Sequence, residues 1–164
     1  MNLFGVLDQA AARFGDRGAV YLGTRQLHTW AQLRDRALRL AGSLSATHDT
    51  GARIAIASEN RPEIIEVMFA VWASGCVVVP INFKLHPREM AQILDDAGVS
   101  LVFASPKIAA GLDGAPVEVL GGAGYDVRLA HAPAVRANTD PGALAWLFYT
   151  SGTTGKSKGA MLSH

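Results

Sequence analysis

The chain has 164 residues, of which 49% are hydrophobic and 18% charged, and its 15 Lys+Arg nearly balance its 14 Asp+Glu. This length and composition predict one globular domain with its own core, and they exclude collagen, coiled coils and intrinsic disorder. The net charge of +1 comes from both signs interspersed as far as Asp140, so there is no block of positive charge for nucleic acid or an anionic membrane.

The sequence also predicts a compartment. The most apolar segment, residues 67–81, contains Gly75 and Pro80 and is shorter than the ~20 apolar residues that span a bilayer. The first residues have no basic start and reach Asp8 early, which is unlike a secretory signal. Cys76 stands alone in an apolar run and is expected to be buried and unreactive. We therefore expect a cytoplasmic protein with no transmembrane segment.

The first elements follow from hydrophobic spacing and capping residues. Apolar residues at helical intervals predict a helix over residues 3–14, and a hairpin follows over 19–22 and 26–28. Thr29 and Gln32 form a capping box that starts a second helix. The apolar face of that helix leaves three arginines expected to face solvent: Arg34, Arg36 and Arg39.

The middle of the chain alternates strands and helices. Apolar runs at residues 54–57, 76–79 and 101–104 predict buried strands, and helices opened by Pro62 and Pro87 connect them. This order predicts the fold class α/β, with a mostly parallel sheet flanked by helices and right-handed crossovers.

The segment from 106 to 141 carries a weaker signal. Its glycines and prolines interrupt every hydrophobic period except that of residues 117–120. We expect an irregular but packed segment with a strand or two, in preference to a flexible linker.

A strongly patterned segment follows a predicted buried strand at residues 143–149. It combines glycines, hydroxyls and two lysines in this order: Thr150, Ser151, Gly152, Thr153, Thr154, Gly155, Lys156, Ser157, Lys158 and Gly159. Glycines let backbone amides converge on an anion, while hydroxyls and ammonium groups add donors and charge. No acidic residue occurs from 141 to 164. The pattern predicts a polyphosphate-binding loop, and the alternative is a solvated turn without a binding role.

Two related phosphate motifs fail on spacing. A Walker A loop requires glycine six residues before its lysine, and that position relative to Lys156 is Thr150. A dinucleotide-binding Gly-x-Gly-x-x-Gly motif fails as well, because Gly152 and Gly155 lack a third glycine at the required offset.

Residues 149–159, Tyr-Thr-Ser-Gly-Thr-Thr-Gly-Lys-Ser-Lys-Gly, resemble the AMP-binding signature of the adenylate-forming superfamily. This superfamily includes acyl-CoA synthetases, adenylation domains of peptide synthetases, and luciferases. The resemblance extends upstream through residues 27–33, 58–63 and 73–82, in the order the family shows. One departure is Ser157, where the family usually has proline.

The resemblance implies a two-step ligation. A carboxylate attacks the α-phosphorus of ATP to give an acyl-adenylate and pyrophosphate, and a thiol, CoA in the ligases, then displaces AMP. It implies that hydroxyls donate to the β- and γ-phosphates, that glycines allow close backbone approach, and that a lysine neutralises departing pyrophosphate. The corresponding ATP-binding residues are Thr150, Ser151, Gly152, Thr153, Thr154, Gly155, Lys156 and Lys158, of which Lys158 is the catalytic one.

The resemblance also implies that residues 1–164 are a partial N-terminal AMP-binding domain with its phosphate loop at 149–159. Chains of this family continue into the adenine- and acid-binding strands, the residues that handle Mg²⁺, and a C-terminal lid domain. Alone, the 164 residues are expected to be inactive and to expose apolar surface. Residues 82–87 and the Thr153-Thr154 pair favour the acyl-CoA synthetase branch. The alternatives are a peptide-synthetase adenylation domain and a non-catalytic nucleotide-binding remnant. The implied partners are a small carboxylic acid, ATP and CoA.

Overall fold

A computed structural model of the chain describes residues 2–112, 115–150 and 158–164. In chain order the elements are α1 (Phe4–Phe14), β1 (Gly18–Leu22), β2 (Arg25–Thr29), α2 (Trp30–Ser45), β3 (Arg53–Ala57), α3 (Pro62–Ala73), β4 (Val77–Ile81), α4 (Pro87–Asp96), β5 (Val99–Ala104), α5 (Pro106–Ala109), β6 (Val117–Val119), α6 (Ala123–Leu129), β7 (Leu144–Thr150) and β8 (Lys158–Ser163). Among these elements, no helix has the length and apolar character needed to cross a bilayer.

The strands of the main sheet lie in the order β6-β5-β3-β4-β7-β8, and β1 and β2 form a separate antiparallel hairpin. Strands β6 to β7 of that order pair in parallel, and β8 pairs with β7 in antiparallel orientation. In the centre, Ile54 of β3 lies between Val78 of β4 and Leu101 of β5. The predicted α/β class with a mostly parallel sheet is confirmed.

Helices cover both faces of this sheet and explain why its central strands are apolar throughout. On one face α1, α2, α3 and α6 pack a core that includes Leu33, Leu40 and Val67. On the other face α4 packs a second core through Met90 and Ile93, joined by the partly buried apolar residues of α5. Parallel strands covered on both faces are expected to be continuous hydrophobic runs, as β3 and β4 are.

The structure differs from the sequence-based expectation between 106 and 141. The strand expected near 117–120 is present as β6, but α5 and α6 were not expected. The helical period of α6 is hidden because Gly122 precedes it and Gly124 lies in its first turn. Tertiary packing compensates, because Tyr125 is 1% exposed and its ring packs edge-on against Phe103 at 6.2 Å.

The expectation that Arg36 faces solvent was wrong. Its guanidinium makes a bidentate ion pair with the buried Glu66 of α3, with Nε 2.8 Å from Oε1 and Nη2 3.0 Å from Oε2. Tyr125 donates its hydroxyl to the same carboxylate at 2.7 Å, and His28 Nε2 lies 3.1 Å from it. Burial alone would lower the pKa of Arg36, but the hydrogen bonds and charge of Glu66 raise it. A carboxylate on a neighbouring helix thus turned the arginine inward.

Candidate functional site

The candidate site lies at the carboxyl end of β7. This strand runs parallel to β4, with Val78 opposite Trp146, so the two strands end at the same edge of the sheet. In open α/β sheets ligands bind outside the carboxyl ends of the strands. Thr150 is the last residue of β7 and therefore lies where a ligand is expected.

Two of the predicted site residues, Thr150 and Lys158, lie within the described residues. They face each other across the β7–β8 hairpin as a cross-strand pair. The other predicted site residues lie outside the described residues: Ser151, Gly152, Thr153, Thr154, Gly155 and Lys156. Tyr149, Thr150, Lys158 and Gly159, which the sequence resemblance assigned to the ends of the loop, belong to the paired strands.

The Thr150–Lys158 pair places a hydroxyl and an ammonium group together on one face of the hairpin. Residues directly opposite in an antiparallel pair share a face, and both residues are exposed. With no acidic residue between 141 and 164, no neighbour along this part of the chain neutralises the lysine. The arrangement can attract an anion and donate hydrogen bonds to it.

The opposite face of the hairpin is held by Tyr149. Its hydroxyl donates to Asp96 Oδ2 at 2.6 Å, which ties β7 to the last residue of α4. Burial, followed by the Asp96 carboxylate, raises the pKa of Tyr149 to about 12, so the phenol remains a hydrogen-bond donor even at pH values above 10. Tyr149 also lies directly opposite Gly159. Sequence reasoning missed Asp96 because nothing in the helical pattern of α4 indicates a contact with a strand more than 50 residues later.

Aromatic packing fixes β7 from its other side. The indole of Trp72 in α3 donates to the carbonyl of Ala145 at 3.1 Å and packs edge-on against Trp146 at 4.8 Å between ring centroids. Phe148 stacks on Trp146 at 5.0 Å and remains 36% exposed. β7 is thus anchored to the helix layer before it reaches the candidate site.

The far end of β8 is fixed by His164. Its backbone N–H donates to Ala143 O at 3.1 Å, and its Nδ1 accepts from the backbone N–H of Leu3, also at 3.1 Å. Burial lowers the pKa of the His164 imidazole, which favours the neutral form that can accept this bond. The side chain therefore links the end of the hairpin to the start of α1.

Polar residues also join the carboxyl ends of β3 and β5. Ser105 donates its hydroxyl to Glu59 Oε2 at 2.6 Å, and this hydrogen bond lowers the pKa of the half-buried Glu59 carboxyl. Beside them, Arg61 Nη2 pairs with Glu63 Oε1 at 2.8 Å. These side chains pair with one another within the region.

Comparison with known proteins identifies the family. A model of the AMP-binding enzyme family matches residues 7–164. The chain belongs to the AMP-binding enzyme family. The matched residues include the signature at 149–159. The match confirms the resemblance drawn from the sequence.

Members of the AMP-binding family that resemble the chain include both CoA and peptide synthetases. It is 37% identical over 141 residues to a feruloyl-CoA synthase of Amycolatopsis sp., covering 83% of this chain and 28% of that protein. It is 32% identical over 171 residues to the phosphinothricin tripeptide synthetase PhsC of Streptomyces viridochromogenes, covering 99% of this chain and 15% of that protein. The chain therefore spans less than a third of the length of either relative.

The fold agrees with part of a longer protein of known structure. The crystal structure of ATP-bound MatB from Rhodopseudomonas palustris superposes with a TM-score of 0.85 at 31% identity, covering 99% of this chain and 35% of that one. The sheet and helix layers described above are thus shared over nearly the entire chain.

Proposed function

We propose that the chain is the phosphate-binding portion of an ATP-dependent carboxylic acid–CoA ligase. One observation carries the proposal: Thr150 and Lys158 lie opposite each other at the carboxyl end of parallel strand β7, in a member of the AMP-binding enzyme family. The residues between them, 151–157, contribute further hydroxyls, glycines and a lysine.

The donor set fits the polyphosphate of ATP. Phosphate oxygens accept hydrogen bonds and carry negative charge, and the exposed pair supplies one hydroxyl donor and one ammonium group. We assign the ATP-binding role to Thr150, Ser151, Gly152, Thr153, Thr154, Gly155, Lys156 and Lys158. ATP would bring Mg²⁺, and a carboxylic acid and CoA would be the other substrates.

The reaction proposed for the whole enzyme places charge where Lys158 can act. The acid's carboxylate oxygen forms a bond to the α-phosphorus, the bond to the β-phosphate oxygen breaks, and pyrophosphate leaves as an anion. CoA thiolate then displaces AMP to give the thioester. Lys158 would stabilise the charge that develops on pyrophosphate, a role in which loss of one electrostatic donor costs on the order of 100- to 1,000-fold in rate.

The chain's own contribution is limited to part of this sequence of steps. Because it spans 28% of the feruloyl-CoA synthase it resembles, we expect only weak ATP binding and no acyl-adenylate from these 164 residues. The alternative is an adenylation domain that delivers its product to a carrier-protein thiol, a reading supported by the match to the tripeptide synthetase PhsC. In the complete enzyme, AMP release that depends on free CoA favours the ligase, and dependence on a carrier domain favours the alternative.

The proposal is tested by ATP binding to the purified chain. Isothermal titration calorimetry with ATP and Mg²⁺ would be performed on the wild type, Lys158→Ala, and the matched control Lys107→Ala in α5. We expect Lys158→Ala to weaken binding about tenfold or more, because a charge-assisted contact to phosphate is worth roughly 1.5–3 kcal/mol, and Lys107→Ala to leave it unchanged. Equal affinity of the two variants would contradict the proposal.

A further inference from the structure

We propose that Tyr149 is a positioning residue for phosphate binding, which holds the base of the β7–β8 hairpin so that Lys158 and Thr150 keep their places. The inference rests on the function proposed above. Tyr149 itself would not touch the ligand, because successive residues of a strand point to opposite faces, and the Thr150–Lys158 pair lies on the other one. Two contacts of Tyr149, with Gly159 and with Asp96, and the exposure of β8 support this role.

The first contact is between the phenol ring and the backbone of β8. A Cβ atom placed on Gly159 would lie 3.3 Å from Tyr149 Cζ and 2.9 Å from Leu147 Cδ1. The tyrosine ring and the leucine side chain therefore pack directly on this glycine. Because Gly159 follows Lys158 in the chain, the ring fixes the backbone one residue from the ammonium-bearing side chain.

The second contact joins the ring to a rigid part of the fold. The Tyr149 hydroxyl donates to Asp96 Oδ2 at 2.6 Å. Asp96 ends α4, whose Met90, Ile93 and Leu94 are buried against the sheet. Tyr149 therefore connects the hairpin to a helix that is packed into the core.

The third observation explains why the hairpin depends on such a connection. β8 is the edge strand of the sheet, and all six of its residues are exposed. An exposed edge strand opens more easily than a central one, because little apolar contact opposes the opening. The packing of Tyr149 on Gly159 limits that motion next to Lys158, and the bond to Asp96 anchors the ring. Removing the hydroxyl should thus misplace the lysine without unfolding the chain.

The test is a double-mutant cycle on ATP binding, with Tyr149→Phe, Lys158→Ala and the double variant. Tyr149→Phe keeps the ring on Gly159 and removes the bond to Asp96. We expect it to weaken ATP binding about two- to tenfold, and to have little effect when Lys158 is already alanine, because Tyr149 acts through that lysine. The matched control is Tyr21→Phe, which removes a hydroxyl bonded to Gln26 in the separate β1–β2 hairpin. It should change neither ATP binding nor melting temperature.

Conservative rescue separates positioning from general stability. Asp96→Asn retains an acceptor oxygen for the Tyr149 hydroxyl and should bind ATP nearly as well as the wild type, whereas Asp96→Ala should behave like Tyr149→Phe. Hydrogen exchange provides a readout without ATP. Backbone amides of β8 should exchange about two- to tenfold faster in Tyr149→Phe, while those of β3 stay unchanged.

The outcomes distinguish this inference from the proposed function. If Lys158→Ala weakens ATP binding but Tyr149→Phe does not, or if β8 exchange is unaltered, the positioning role of Tyr149 is wrong and the phosphate site stands. If Tyr149→Phe weakens binding equally with and without Lys158, the tyrosine does not act through the lysine and the inference fails. If the wild-type chain binds no ATP, the proposed function and this inference are both overturned.

Discussion

Strands β3 and β8 belong to the same sheet but meet solvent in opposite ways. Ile54 and Ala55 of β3 are fully buried between two helix layers, whereas Met161 and Leu162 of β8 are 73% and 50% exposed. The candidate phosphate site lies at the β8 end of the sheet. Binding groups are commonly carried by the less stable parts of a fold, and a rigid scaffold positions them. Here the packed helices hold the hairpin that carries the site through a few specific side-chain contacts.

The difference in burial predicts the largest effect on stability. Ile54→Ala should lower the free energy of unfolding by about 2–5 kcal/mol, because it leaves a cavity between two packed layers. Met161→Ala, on the exposed face of β8, should change it by less than about 0.5 kcal/mol. Urea denaturation followed by circular dichroism measures both values. A similar loss in the two variants would mean that β8 contributes to the core as β3 does.

The contrast between buried and exposed positions should also apply to charged side chains. Arg36 and Arg34 lie two residues apart on α2, but Arg36 pairs with the buried Glu66, and Arg34 pairs with the partly exposed Asp8. Arg36→Gln should destabilise the fold by about 1–3 kcal/mol, since it leaves a buried carboxylate without its main counter-charge, and the partial exposure of Arg36 limits the loss.

Arg34→Gln is the matched control for that variant. An exposed ion pair of this kind contributes about 1 kcal/mol at most, and less at high salt. Urea denaturation at low and high salt would show a large, salt-insensitive effect for Arg36 and a small, salt-sensitive one for Arg34. Equal losses of stability in the two variants would mean that the pairing of Arg36 with Glu66 contributes no more than an exposed ion pair.

Features that leave a local pattern in the sequence could be predicted, and features that depend on distant partners could not. Strands such as β3 and β4 were predictable because burial on both faces imposes a continuous apolar run. The family signature at 149–159 was recognisable because glycines, hydroxyls and lysines in that order have few other uses, whereas the phosphate-binding role of the loop stays a prediction. The inward turn of Arg36 and the bond from Tyr149 to Asp96 were not predictable. Each depends on a partner distant in the sequence, and no local period records such a partner.

The exposure of β8 could not be deduced from its own residues either. A short apolar run, Ala160-Met161-Leu162, follows Lys158, and no strand was predicted for it. The structure leaves it at the edge with its side chains exposed. Hydrophobic pattern indicates a strand but does not indicate how many of its faces are covered.

The smallest predicted effect concerns the titration of Tyr149. Its pKa, raised to about 12 by burial and by Asp96, lies above the ordinary value near 10. The hydroxyl donates only while protonated, so its bond to Asp96 is fully present below pH 10 and is lost as the pH rises through about 12. Ultraviolet absorbance titration of the wild type should show a tyrosine ionisation near pH 12 that is absent from Tyr149→Phe.

Asp96→Ala tests the cause of the raised Tyr149 pKa. Removing the carboxylate takes away one of the two causes of the shift, so the ionisation of Tyr149 should move toward pH 10 while burial still holds it above that value. Asp8→Ala, which removes a carboxylate paired with Arg34 and Arg136 and not with Tyr149, is the control and should leave the titration unchanged. A curve that is identical in the wild type and Asp96→Ala would show that the helix does not hold the hairpin through this bond. The β7–β8 hairpin would then be held by the packing of β7 and by the hydrogen bonds of His164.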